Sequence, residues 1–195
     1  MRNNILHRRD RLIITTIEIL DELGIQGLST REIAKRQGVS EATIFRHFKS
    51  KNELLSAVLD YFTQFDEDIF LTTRLKNIGP LEAILFLISS SVEYYENYPA
   101  ITSIMQLMDV FRYEPELEVK VKSIVTNHFQ FVKSLVEDAQ KVGELQSDLD
   151  SDSITELICG SSREISLLWR LNGRNFPLKQ KTLSTIRTLL ASFSI

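Results

Sequence analysis

The sequence predicts an all-α protein with a small N-terminal helical domain followed by a larger helical one. Three observations carry this. Apolar residues recur at spacings of three and four through most of the chain, glycines and prolines punctuate the periodic stretches, and no stretch alternates apolar and polar residues as a strand would. The 195 residues suffice for a substantial core shared between one small and one medium domain, and no internal repeat or low-complexity segment is visible.

The elements follow in order. A first helix is expected over residues 8–23, with Ile13, Ile17 and Leu20 on one face and Gly24 as its stop. The second begins after Ser29, which forms a capping box with Glu32, and ends at Gly38, a left-handed C-terminal cap. Ser40 is placed to cap a third helix starting at Glu41, so the turn is Gly38-Val39-Ser40. Ser50 and Glu53 form a second capping box that opens a long fourth helix at Lys51, carrying Leu55, Val58, Phe62, Phe65 and Ile69. The break Asn77-Ile78-Gly79-Pro80 opens a fifth helix ending near Asn97. Pro99 opens a sixth to about Tyr113, and Pro115 a seventh to about Val142, stopped by Gly143. After the acidic loop at 144–152 an eighth helix reaches about Leu171. Asn172-Gly173 and Pro177 separate it from a ninth that reaches Phe193.

Residues 29–55 are the most informative stretch, because two short helices around a three-residue turn with a further helix behind them make a helix-turn-helix, the usual major-groove reader. Ile33, Ala34, Val39, Ile44 and Phe48 are spaced to close the two helices on one core. Glu41, Ala42, Phe45 and Arg46 form a stripe on the other side, the face that would enter the groove. Charge is divided accordingly. Residues 1–55 hold ten Lys/Arg against seven Asp/Glu, a net of +3, and the remainder 13 against 19, a net of −6, so a chain of net charge −3 still presents a basic face.

These residues closely resemble the tetracycline-repressor (TetR) family of bacterial transcription regulators over the first 55 or so positions. The resemblance rests on Gly24, Thr30-Arg31-Glu32-Ile33-Ala34, Gly38-Val39-Ser40, Thr43-Ile44-Phe45-Arg46-His47-Phe48 and Lys49-Ser50-Lys51-Asn52-Glu53-Leu54-Leu55. Two positions depart from the family pattern. Ala42 stands where glycine is frequent and Phe45 where tyrosine is frequent, which removes a hydroxyl contact to the DNA backbone and leaves stacking or methyl contact. The resemblance implies a helix-turn-helix DNA-binding domain over residues 1–50 and a helical effector-binding and dimerisation domain over 51–195. It also implies a twofold homodimer on a palindromic double-stranded DNA operator, most simply a repressor released by a small effector that moves the fourth helix. Ser40, Glu41, Ala42, Thr43, Phe45 and Arg46 are expected near base edges, and Thr30, Arg31, His47, Lys49 and Lys51 at phosphates. A DNA-bound architectural or cell-division factor without an effector is the alternative.

The same resemblance assigns the last two helices to a four-helix dimer bundle. Ile154, Ile158, Ser161, Ile165 and Leu168 recur at helical spacing in one, and Leu183, Ile186, Leu190 and Phe193 in the other, while Gly160, Ser161 and Ser162 permit close approach. Taken alone, such stripes more often face only their own core. Effector contacts are expected among Phe62, Phe86, Met105, Met108, Phe111, Phe129 and Trp169, with Arg163, Glu93, Gln106 and His128 as polar candidates. A ligand of such a lining is mainly apolar, although Met and aromatic stripes are core more often than pocket.

Other functions are disfavoured by what the chain lacks. Ser89-Ser90-Ser91 has no glycine elbow, there is no Gly-rich phosphate loop, and the acids form no pair with a base, so no enzyme and no cofactor are expected. Three scattered histidines give no metal-ligand spacing, and the single Cys159 reads as a core thiol. With neither the apolar core of a signal peptide nor a membrane-length apolar run, the expected location is cytoplasmic.

Overall fold

A computed structural model describes residues 7–194, which form nine α-helices and one 3-10 turn, with no strand among the described residues. They are α1 (Arg8–Gly27), α2 (Thr30–Gln37), α3 (Glu41–His47), α4 (Lys51–Leu75), α5 (Pro80–Asn97), α6 (Thr102–Phe111), α7 (Pro115–Lys141), α8 (Ser151–Leu171) and α9 (Leu178–Phe193). The chain divides into two compact units. The first runs through Gln64 and includes Tyr98–Lys122, and the second combines Phe65–Asn97 with the chain from Ser123 onward. The boundary expected after Ser50 therefore lies inside the first unit, because α1 packs on the 3-10 turn Pro99–Ile101 and on α6 as well as on α2.

In the first unit, Leu12, Ile17 and Ile19 of α1 are fully enclosed with Ile33, Ile44 and Phe48. Each such side chain contributes roughly 1.5–3 kcal/mol on leaving water. Gly24 breaks α1 as expected, with φ +64°, but the chain resumes a helical turn to Gly27. Ser29 Oγ accepts from Glu32 N–H at 3.1 Å and Ser50 Oγ from Glu53 N–H at 3.0 Å. The reciprocal halves of both capping boxes are missing, since Glu32 turns to Arg36 and Glu53 accepts from Lys49 N–H at 2.6 Å. Gly38 adopts the left-handed cap, φ +63°, whereas Ser40 makes no side-chain cap. Pro99 opens a 3-10 turn before α6 rather than α6 itself. Within this unit α7 is tied to α4 by Lys120 Nζ, which donates to Ser56 Oγ at 2.6 Å and Asp60 Oδ1 at 2.7 Å.

In the second unit α5 and α8 both pack on α9 around Ile84, Leu87, Val132, Val136, Ala139, Leu145, Ile158 and Ile186. The acidic loop supplies helix caps. Glu144 accepts from Leu81 N–H at 2.9 Å, capping α5, and Asp150 accepts from Ser153 N–H at 2.9 Å, capping α8. A Cβ at Gly79 would meet Glu144 Oε1 at 2.9 Å, so a larger residue there would require the Glu144 carboxylate to shift. Lys133 Nζ ties α7 to the first turn of α8 by bonding both oxygens of Asp152, at 2.7 and 2.8 Å.

Candidate DNA-reading surface and effector-domain residues

The reading surface is fixed by what anchors α2 and α3. Arg36 bridges two carboxylates, Glu32 at 2.9 Å and Glu22 at 2.8 Å, and so locks α2 to α1. The hydrogen bond to Glu32 holds the Arg36 pKa above its ordinary value. Gln37 Nε2 adds a 2.6 Å bond to Thr15. Arg9 lies over the ring of the buried Phe48, at 5.0 Å, closing the end of α3.

On that base Ser40, Glu41, Ala42, Phe45 and Arg46 are exposed, with Phe45 keeping 52 % of its surface. An aromatic ring held in water on the surface of a reading helix is what stacking or thymine-methyl contact requires. Thr43 departs from expectation. It is buried at 7 % exposure, its Oγ1 sharing a 3.2 Å hydrogen bond with Ser40 Oγ and accepting from Arg46 Nη2 at 3.4 Å. Its side chain is mostly enclosed and holds its neighbours Ser40 and Arg46. Glu41 is also constrained, since its carboxylate accepts from Thr30 Oγ1 at 2.6 Å, joining α3 to the start of α2. Among the phosphate candidates Arg31, Lys49 and Lys51 are exposed, and Thr30 and His47 half-buried. Arg2, counted in the basic half, lies outside the described residues.

The effector candidates divide between the units. In the first, Phe62, Met108 and Phe111 are buried at 5 %, 5 % and 1 % exposure, while Met105 is half-buried and Gln106 holds a buried Nε2 with no hydrogen-bond partner. In the second, Phe86 lies half-buried under Lys76 Nζ at 4.6 Å, Phe129 is half-buried, Trp169 is buried with Arg174 over its ring at 5.8 Å, and Arg163 is exposed. Glu93 is exposed and paired with Lys179 Nζ at 2.7 Å. Sequence reasoning missed Asp66. It follows Phe62 by four positions and precedes Ile69 by three, so the signal was an acid inside an apolar stripe.

The dimer stripe needs correction. Ile158 and Ile186 are fully enclosed and Leu190 and Ile165 nearly so, the first three within the core of their own unit, so these side chains have almost no surface left for a second copy. Leu168 at 44 % exposure, with half-buried Ser161 and Phe193, keeps surface, and Leu157 at 47 % joins it on the outer side of α8. An apolar cleft of about 490 Å³, lined by Ile165, Leu168, Phe176 and Pro177 among others, opens there between α8 and α9. Cys159 is half-buried, and desolvation pushes its thiol pKa up to about 11, consistent with a core thiol. Among the described residues no group of acids, histidines and cysteine is placed to hold a metal, and no helix is long and apolar enough to cross a membrane.

A helix-turn-helix with an exposed reading face, in an all-helical chain of this architecture, defines a DNA-binding transcription regulator. The chain belongs to the TetR family. The family model for bacterial regulatory proteins of the tetR family matches residues 12–58, and the model for the C-terminal region of YsiA-like proteins matches residues 51–192. The fatty acid metabolism regulator protein of Bacillus subtilis is 22 % identical over 186 residues, covering 93 % of each chain. The class C tetracycline repressor of Escherichia coli is 40 % identical over 53 residues, 27 % of this chain and 24 % of that one. Among solved structures, FadR from Bacillus subtilis in complex with stearoyl-CoA superposes with a TM-score of 0.81 at 22 % identity, covering 94 % of this chain and 98 % of that one. FadR from Bacillus halodurans, a fatty acid degradation regulator, gives 0.81 at 19 % identity, covering 93 % and 94 %. These relatives are regulators, not enzymes.

Proposed function

We propose that this protein is a homodimeric repressor that binds a palindromic operator and is released by a small, mainly apolar effector. The observation that carries the DNA half is the exposed row Glu41, Ala42, Phe45 and Arg46 on a helix whose other face is buried and whose entry is locked by Arg36, Ser29 and Gly38. Two such helices related by a twofold axis read two half-sites with centres about 34–36 Å apart, or a multiple of that. The dimer surface is the outer side of α8, through Leu157, Ser161 and Leu168, rather than the enclosed isoleucines. Each half-site alone binds far more weakly than a tethered pair, so dimerisation sets operator affinity.

The effector half rests on the helical second domain and on its whole-length likeness to a fatty acid metabolism regulator and to a structure holding stearoyl-CoA. A long-chain acyl thioester is accordingly the first effector to try. Its binding in the domain beyond residue 50 displaces α4, changes the separation of the two reading helices and lowers operator affinity. Footprinting with and without stearoyl-CoA tests this. A twofold footprint lost on adding ligand supports the reading, and ligand-indifferent coating of many unrelated sites assigns an architectural role instead.

A further inference from the structure

In the second unit the apolar stripe of α4 is interrupted by Asp66, 9 % exposed. Among the described residues no group hydrogen-bonds its carboxyl. His128 Nδ1, on α7, stands 4.0 Å from Asp66 Oδ2, too far for a direct hydrogen bond. Burial lowers the His128 pKa, so the imidazole is neutral near pH 7 and the two make no ion pair. Tyr95 on α5, also buried, faces the same carboxyl, whose charge adds to desolvation in raising the tyrosine pKa. The surroundings are aromatic. Phe65 stacks on Tyr94 at 3.6 Å, Phe70 stacks on Phe131 at 4.1 Å, and Phe70 tilts against His128 at 5.7 Å.

A buried carboxyl without a donor is costly, and its cost falls when a ligand supplies the missing partner. One oxygen placed about 2.8 Å from both Asp66 Oδ2 and His128 Nδ1 would span their separation at an angle of roughly 90°, the geometry of a single polar group bridging the two. We propose that Asp66 and His128 seat one hydroxyl group of an otherwise apolar effector, which bridges the two side chains within this aromatic lining.

The choice of a hydroxyl follows from what a carboxyl and an imidazole 4.0 Å apart can donate and accept. Asp66 has its pKa raised to about 7 by desolvation and by the neighbouring charge of Glu67, so both of its forms are populated near neutrality. Among the described residues the titratable groups that act on it are Glu67 on α4, Tyr95 on α5 and the neutral His128 on α7. Over an ionised Asp66 a hydroxyl donates to the carboxylate and accepts from His128 Nδ1–H. Over a protonated Asp66 it accepts from the acid and donates to an unprotonated Nδ1. A carbonyl matches only the protonated form and an ammonium only the ionised form, while a carboxylate is repelled by Asp66 and Glu67. A hydroxyl alone is satisfied on both sides of the titration.

The inference rests on the reading that this domain takes an apolar effector. Its test is calorimetric binding of 1-decanol, 2-decanone and decylamine to the full chain at pH 6, 7 and 8, with operator release scored alongside. At pH 7 wild-type protein is expected to prefer 1-decanol over 2-decanone about tenfold, with less than about a twofold change in 1-decanol affinity across the pH series, the effect of roughly one satisfied hydrogen bond. Affinity for 2-decanone should fall, and for decylamine rise, as the pH increases. Asp66→Leu and His128→Leu, which replace polar groups by apolar ones of similar bulk, should bind alcohol and ketone alike. Equal wild-type affinities, or a preference for 1-decanol that survives both substitutions, overturns the hydroxyl seat. If all three probes bind alike and release the operator, the effector reading stands and only the seat falls; no binding by any of the three also overturns the seat, while operator release by stearoyl-CoA, measured alongside, decides the effector reading separately.

Discussion

Replacing Asp66 by Asn should stabilise the protein above neutral pH and change little under acid conditions. Asp66 has its pKa lifted from an ordinary 3.8 to about 7 by burial, so the folded state binds a proton there more tightly than the unfolded chain does. Stability linked to this group is therefore intact below about pH 4, falls as the pH rises through the interval up to about 7, and is fully lost above it. A shift of about three units at about 1.4 kcal/mol each sets a ceiling near 4 kcal/mol, which relaxation around the acid reduces. Asn has nearly the same shape and carries no charge to desolvate. His128 works in the opposite direction. Its lowered pKa removes stability as the pH falls below the ordinary histidine value, so the difference between the two proteins' profiles isolates the acid. Urea denaturation of wild type and Asp66→Asn from pH 5 to 8.5 measures it. A constant difference across that range, or a variant less stable than wild type at pH 8, would refute the reasoning.

Three further outcomes are expected. Lys51→Ala should weaken binding to every DNA sequence and reduce the salt slope by about one, whereas Arg46→Ala should cost about 1–3 kcal/mol chiefly on the operator; equal losses on operator and random DNA would remove Arg46 from the base-reading set. Leu168→Glu, at a half-exposed position the monomer tolerates, should give a folded monomer in light scattering with operator affinity collapsed, and a dimer at full affinity would place the interface elsewhere. Cys159, with its pKa near 11, should react with iodoacetamide at pH 8 far more slowly than a free thiol, and rapid labelling of the folded protein would contradict its burial.

Much of the DNA-reading unit was legible because its boundaries are set by chemistry within four residues. Ser29, Gly38 and Ser50 each satisfy backbone groups of their own helix end, and all three do so in the structure. Thr43 holds a position in sequence that suits a contact, but its burial depends on how α3 packs, which spacing does not reveal. The same limit explains α8. Ile158 and Leu157 are adjacent apolar residues about 100° apart on the helix, and only the packing of α9 decides that the first turns in and the second out. Tyr98–Lys122 joins the first unit through packing on α1, a contact of long sequence separation with no local signature. Asp66 was visible as an acid in an apolar stripe, but its separation from His128 is a tertiary fact.

The central claim is that this chain reads a twofold DNA site and lets go of it on binding an apolar ligand. In vitro selection of random duplexes with the purified protein, repeated with stearoyl-CoA present, tests both halves at once. The account predicts enrichment of inverted repeats with half-site centres one helical turn or a multiple apart, about 34–36 Å per turn, and loss of that enrichment with the ligand. Enrichment of sites without twofold symmetry, or no sequence enrichment at all, would contradict it.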